Sequence, residues 1–342
     1  MKLTVVNVKK ETDQAVTISF KNNRIFNKIH YKPGQFLTLK IPINGHVESR
    51  AYSFSSDPYT EKSLKITVKK VENGLISNYL NTEVKAGQKM TIDKPMGSFY
   101  IEPNSEHKKQ YVLFAGGSGI TPVFSILKTV LAKEPHSKVV LIYANLNIEN
   151  IIFLKELQEL SKTHSDRLSV AYILSENTNP LFHSGFVTKE IIEKIFDKHD
   201  LEFTDHKYMM CGPSGFMRTV KEILKSKSIA PSKIQTEVFK AAKIKIDSKN
   251  LLSKVTIKHK GTTHNLEVPG NRTILEQAMK ENIALPYSCR SGMCNTCKAQ
   301  CVSGEVQLTK GHLLPENEVR NGAILTCVSY PSSEEVIIEI PK

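Results

Sequence analysis

The stretch Leu285-Pro-Tyr-Ser-Cys289-Arg-Ser-Gly-Met-Cys294-Asn-Thr-Cys297 sets three thiols at the spacing Cys-x4-Cys-x2-Cys, and a fourth, Cys327, follows at a distance. This is the spacing at which four thiolates ligate a [2Fe–2S] cluster. Zinc is the competing occupant. Structural zinc sites usually pair two Cys-x2-Cys knuckles, and only Cys294 and Cys297 form one here, so the iron–sulfur cage is the better reading. The small residues Ser291 and Gly292 are expected to let backbone N–H groups reach the sulfurs and help set the potential. Cys301, close by, reads as a small buried hydrophobe.

Outward from the cage, β-rich runs at 254–259 and 264–268 precede a helix expected over 273–280. A strand at 323–325 leads into Cys327, and 334–340 closes a sheet. Upstream, residues 240–252 are lysine-rich without a clear period and read as a linker. With 342 residues, 40% hydrophobic and 24% charged, the chain exceeds one ordinary core and belongs with soluble, multidomain proteins.

No apolar run reaches the ~18 residues a membrane span needs, and the N-terminus carries no leader pattern. The expected location is the cytoplasm, where six cysteines serve as ligands or catalytic thiols rather than as disulfides. The net charge of +13 sits almost entirely before Ser253, since 253–342 holds ten Lys and Arg against nine Asp and Glu. The lysines are scattered and not interleaved with aromatics, which argues against a nucleic-acid partner. They suit a solvated surface, an acidic protein or a dinucleotide phosphate.

From residue 109 to 239, strands expected at 111–115, 139–144, 168–174, 208–211 and 234–239 alternate with helices at 123–133, 151–161, 187–196 and 215–225. That repetition predicts a doubly wound parallel sheet with helices on both faces. The turn Gly116-Gly117-Ser-Gly119-Ile-Thr121-Pro122 opens its first helix. Glycines there let the backbone approach a pyrophosphate, Thr121 can cap, and Pro122 loses nothing at a helix start. Cys211-Gly212-Pro213 ends a later strand, beyond which ligands of open α/β sheets bind.

Residues 1–102 hold six short β-rich runs punctuated by turns, which suggests an antiparallel barrel. Arg50 and Tyr52, alternate in a strand, face one way, and a guanidinium beside a phenol suits a phosphate next to a planar ring. Gly74-Leu-Ile-Ser77 opens a short helix, where an anion is stabilised.

Arg50-Ala-Tyr52-Ser53, Gly74-x-x-Ser77 and Pro95-Met-Gly97-x-Phe99 together resemble the flavin-binding barrel of the ferredoxin-NADP reductase family. The resemblance implies that Arg50 and Ser77 hold the flavin pyrophosphate, Tyr52 packs on the isoalloxazine ring and Ser53 hydrogen-bonds near flavin N5. It places Lys69 and Val71 on the ribityl chain. FAD is favoured over FMN because of the segment from Gly74 to Ser77. In the same family the segment Gly116, Gly117, Gly119, Thr121 is the nicotinamide-dinucleotide loop. Cys211, with Gly212 and Pro213, then lies beside nicotinamide C4, and Phe239 approaches the flavin from the nicotinamide side.

NADP-dependent relatives carry an arginine after the serine matching Ser175; here Glu176 stands in its place. A carboxylate repels a 2′-phosphate and accepts from ribose hydroxyls, which favours NADH over NADPH.

Residues 285–297 with Cys327 resemble a plant-type ferredoxin domain, an α+β β-grasp fold. The expected division is thus a FAD-binding β-barrel at 1–105, an NAD(P)-binding α/β domain at 106–239, the linker at 240–252 and the ferredoxin domain at 253–342. In this order the modules resemble the reductase components of multicomponent oxygenases, in particular the phenylacetyl-CoA oxygenase reductase type. The activity implied is NAD(P)H-dependent electron transfer through FAD to [2Fe–2S] and on to a redox partner, an oxygenase component. Alternatives are a general NADH:acceptor reductase serving a cytochrome or a desaturase, and a redox-sensing protein without turnover.

Overall fold

The computed structural model describes residues 1–22, 28–43, 45–177, 179–239, 252–309 and 311–341. They divide into two compact units, one formed by Met1–Glu48 and Tyr52–Glu237, the other by Ser49–Ala51 and Val238–Lys342. The expected linker, apart from Leu252, lies outside the described residues.

Six strands open the chain: β1 (Lys2–Thr12), β2 (Ala15–Lys21), β3 (Phe36–Ile43), β4 (His46–Ser53), β5 (Ser63–Lys69) and β6 (Lys89–Ile92), with the helix α1 (Leu75–Thr82) before the last. Their order in the sheet is β4-β3-β6-β1-β2-β5. An antiparallel bridge between Phe54 and Ile66 brings the exit of β4 onto β5 and closes the barrel. Alternating apolar residues drive this arrangement, since Ile18, Phe20, Leu37, Leu39, Phe54 and Ile66 all point into a sealed core.

The first unit continues with β7 (Gln110–Gly116), α2 (Ile120–Lys133), β8 (Lys138–Asn145), α3 (Leu154–Thr163), β9 (Leu168–Leu174) and β10 (His183–Ser184). It ends with α4 (Lys189–Lys198), β11 (Lys207–Cys211), α5 (Ser214–Ser226) and β12 (Ile234–Glu237). All neighbours pair in parallel in the order β10-β9-β8-β7-β11-β12. The order reverses between β7 and β11, and a crevice for ligands opens beyond the carboxyl ends of those two strands. Helix α2 begins three residues earlier than expected, because a 3-10 turn at Gly117–Gly119 feeds it and Pro122 falls within its first turn, where its missing N–H has no partner to lose. Helix α3 begins three residues later, because Phe153 takes a left-handed φ of 63°.

The second unit is built from β13 (Leu252–His259), β14 (Thr262–Pro269), α6 (Ile274–Lys280), β15 (Lys298–Ser303), β16 (Val306–Leu308), α7 (Glu316–Arg320), β17 (Ala323–Leu325), β18 (Ser329–Pro331) and β19 (Glu335–Ile340). Its main sheet runs β14-β13-β19-β15-β17, with β13 and β19 parallel at the centre. Lys260 and Gly261 both take positive φ, which makes the tight hairpin between β13 and β14. Thr273 and Glu276 form a reciprocal capping box that starts α6. The strands β15, β16 and β18 and the helix α7 add to the elements expected from the sequence.

Candidate redox and nucleotide sites

The cage is assembled from one loop and one strand end. Cys297 and Cys327 lie sulfur to sulfur at 3.3 Å, and Cys289 and Cys294 share a second sulfur–sulfur hydrogen bond. In each pair the contact favours the thiolate on one sulfur and the thiol on the other. Contact with Cys289 pulls Cys294 down to about 5 and pushes Cys289 up, and contact with Cys327 likewise lowers Cys297 and raises Cys327. Four thiols packed this closely favour exchange of their protons for metal.

The loop reaches this shape through left-handed turns at Arg290 and Gly292, φ 57° and 77°. The Ser291 N–H donates to Cys289 Sγ at 3.5 Å, and the Gly292 N–H reaches Cys327, as the small residues led one to expect. Among the described residues no three His, Cys, Asp or Glu groups are placed to hold a single metal ion. Two thiol pairs are the donor set of a binuclear cluster, one pair to each iron, and the residues fit [2Fe–2S]. Cys301 stands outside the cage and is only half-buried, not the buried hydrophobe expected, its thiol directed at the carbonyls of Ser303 and Gly304.

At the crevice of the parallel sheet, the two turns singled out from sequence meet. Cys211 lies in register with Ala115 on one side and Glu237 on the other. A Cβ on Gly119 would stand 2.1 Å from Cys211 O and 2.7 Å from Gly212 N, and one on Gly212 would stand 3.0 Å from Gly116 N. One on Gly116 would meet Pro213 Cδ at 2.8 Å. Gly116, Gly119 and Gly212 therefore permit two turns to interlock backbone against backbone, a reason the sequence did not show. Gly117, with φ 51°, stays open above them, and its carbonyl accepts a hydrogen bond from the Tyr143 hydroxyl at 3.0 Å.

Lys69, at the end of β5, directs its ammonium toward Gly117, 3.8 Å from where a side chain would begin. Burial holds that ammonium below its usual range, and among the described residues no carboxylate pairs with it. Thr121 does not cap α2; its hydroxyl donates back to Ser118 O at 3.1 Å. Burial, then the charge of Glu237, push the Cys211 thiol up, so it stays neutral in a sealed position.

On the barrel, Arg50, Tyr52 and Ser53 share β4. Tyr52 leans on the barrel core, Ser53 is buried, and Arg50 Nη1 donates to Ser49 O at 2.8 Å. A cation, a phenol ring and a buried hydroxyl on adjoining positions suit a flavin nucleotide. Gly74 precedes α1, and the Ser77 hydroxyl accepts from Val71 N at 3.1 Å and donates to Gly74 O at 3.2 Å, tying the loop 71–77 shut. Val71 is mostly exposed.

Where β9 ends, Ser175 N and Glu176 N donate to Asn145 O and Leu146 O. The exposed Glu176 carboxylate accepts from Asn147 Nδ2 at 3.3 Å. Asn147 carried no sequence signal, because it lies on the neighbouring strand's exit. Phe239 lies two residues beyond β12, about half exposed.

Comparison with known proteins agrees with this geometry. Residues 2–101 match the oxidoreductase FAD-binding domain, 113–222 the oxidoreductase NAD-binding domain, and 257–332 the 2Fe-2S iron-sulfur cluster binding domain. The chain is 32% identical to the ferredoxin reductase component of 3-ketosteroid-9-alpha-monooxygenase from Rhodococcus rhodochrous, over 98% of this chain and 96% of that one. It is 30% identical to one of the subunits of 1,2-phenylacetyl-CoA epoxidase from Escherichia coli (strain K12), over the same shares. Among solved structures, phthalate dioxygenase reductase shares the fold at a TM-score of 0.67 and 24% identity, covering 99% of this chain and 98% of that one. With thiols paired for two irons, interlocked glycine turns at the switch point of a parallel sheet, and a closed barrel, the chain belongs to the family of ferredoxin-reductase-type oxidoreductases that carry FAD-binding, NAD-binding and [2Fe–2S] modules in one polypeptide.

Proposed function

We propose that this reductase draws electrons from NADH in preference to NADPH and delivers them singly to an oxygenase component in the cytoplasm. Domain limits of 1–105, 106–239 and 253–342 are part of the reading. FAD, when bound, accepts the two electrons of a hydride, and the cluster accepts one at a time. The chain supplies position. The backbone of Gly116, Gly117 and Gly119 holds the dinucleotide pyrophosphate, with Thr121 behind them, and Lys69, directed toward Gly117, serves the flavin's ribityl chain. Cys211, Gly212 and Pro213 form the floor beneath the nicotinamide, and a neutral thiol there excludes water without the nucleophilic charge of a thiolate. Ser53 hydrogen-bonds the flavin at N5, Tyr52 backs its ring, and Phe239 covers the nicotinamide side. Arg50 and the tied loop from Val71 through Gly74 to Ser77 bind the flavin's ribityl and phosphate chain. Cys289, Cys294, Cys297 and Cys327 hold the irons. Thiol ligands of this kind persist in a reducing compartment, which supports the cytoplasm.

The observation that carries the choice of NADH is Glu176, an exposed carboxylate held by Asn147 beyond β9 beside Ser175. It attracts ribose hydroxyls and repels a 2′-phosphate. Glu176→Arg is expected to shift the ratio of kcat/KM for NADH over NADPH toward NADPH by at least about tenfold, ~1.4 kcal/mol, in steady-state cytochrome c reduction. An unchanged ratio would remove the basis for the preference.

A further inference from the structure

Helix α2 leads directly out of the glycine loop, and the segment Phe54–Glu61 leads directly out of β4, where Ser53 sits. The two are joined by a seam of buried polar contacts. Ser125 Oγ donates to Ser56 O at 2.6 Å, and Thr129 Oγ1 donates to Asp57 Oδ1 at 2.7 Å. Lys128 pairs with Glu61, whose carboxylate also accepts from Asp57 N at 2.9 Å. Ser56, Asp57, Ser125 and Thr129 are fully sealed from solvent.

Ser125, Lys128 and Thr129 stand at i, i+3 and i+4, which puts them on one face of a helix whose other residues are nearly all apolar. Apolar packing alone would let that helix settle at several offsets against the barrel. Buried polar groups behave differently: each loses free energy unless its partner is at hydrogen-bonding distance, so the seam selects one offset.

We propose that this seam is a positioning device for hydride transfer, in which Thr129 and Ser125 fix the distance between the flavin-bearing end of β4 and the nucleotide loop that opens α2. The seam is made of contacts between α2 and the segment Phe54–Glu61. It acts through the helix, and hydride transfer is sensitive to it because reacting atoms must lie about 3–3.5 Å apart and an error of about 1 Å can lower the rate about a hundredfold. The inference rests on the crevice being the nicotinamide site.

The test is stopped-flow reduction of bound FAD by NADH in the full-length holoprotein. Thr129→Val is expected to lower the limiting rate at least about tenfold, with FAD content unchanged and the Kd for NADH within about twofold, and to raise the primary isotope effect with 4-deuterated NADH. Thr129→Ser, which keeps the donor, is expected to restore the rate. Ser125→Ala, which removes the other donor, is expected to act in the same direction. A limiting rate unchanged in both Thr129→Val and Ser125→Ala overturns the proposal, as does a rate that falls only in step with lost FAD. Failure of the parent reading would show separately, as no flavin reduction by NADH in the unaltered protein.

Discussion

Cys294→Ser is expected to abolish cytochrome c reduction while NADH bleaches the flavin at the unaltered rate. A serine hydroxyl in place of Cys294 offers neither a soft sulfur nor a proton it can readily lose, and it leaves Cys289 without its pair. One iron then has half its protein ligands and the cluster does not assemble. The flavin and nucleotide modules are untouched, because the ferredoxin unit has its own core of Val255, Ile257, Leu266, Ile324 and Ile338, separate from those of the barrel and the parallel sheet. The measurements are the visible and electron paramagnetic resonance signatures of the cluster, stopped-flow flavin reduction, and steady-state cytochrome c reduction. Loss of flavin reduction in a folded variant would show that the modules are not independent.

Gly119→Ala is the second large effect. A methyl group there would lie 2.1 Å from Cys211 O and 2.4 Å from Cys211 C, and both are backbone atoms that cannot rotate aside. Relief requires the glycine loop to separate from the Cys211–Pro213 turn, which moves the pyrophosphate loop and the nicotinamide floor together. Overpacking of this kind usually costs ~1–3 kcal/mol, and backbone on both sides puts it at the upper end. The expected result is flavin reduction by NADH slowed at least about a hundredfold, with FAD retained and both cofactors still reduced by dithionite. Gly215→Ala is the control. A Cβ at Gly215 meets nothing within 4 Å and the position lies inside α5, so activity is expected to be unchanged and stability neutral or slightly raised. Equal behaviour of the two variants would contradict the interlock.

Much of this was legible before any coordinates. The thiol spacing named the cluster, and in the structure the four cysteines come together in two pairs with Cys301 outside. Alternation of apolar strands and amphipathic helices across 109–239 pointed to a parallel sheet whose strand β9 matches to the residue. Local patterns like these survive in sequence because they are dictated by nearest-neighbour geometry: a period of two or of 3.6 residues, or a ligand spacing that one loop must satisfy. The strands β15, β16 and β18 were not read from the sequence: the segments Lys298–Ser303 and Val306–Leu308 mix polar with apolar residues, and Ser329–Pro331 ends on a proline, so none stands out as a β-rich run.

The amino-acid sequence by itself determined the order of the modules, together with the thiol spacing and the glycine turns that mark them. Tertiary structure alone decided why the glycines are glycines, where the Lys69 ammonium points, that Asn147 steadies Glu176, and that Thr129 meets Asp57. Each of these joins residues far apart in the chain. Hydrogen bonds and steric contacts depend on distances of a few tenths of an ångström between such groups, and no local pattern of residues encodes a distance that only the packed chain creates.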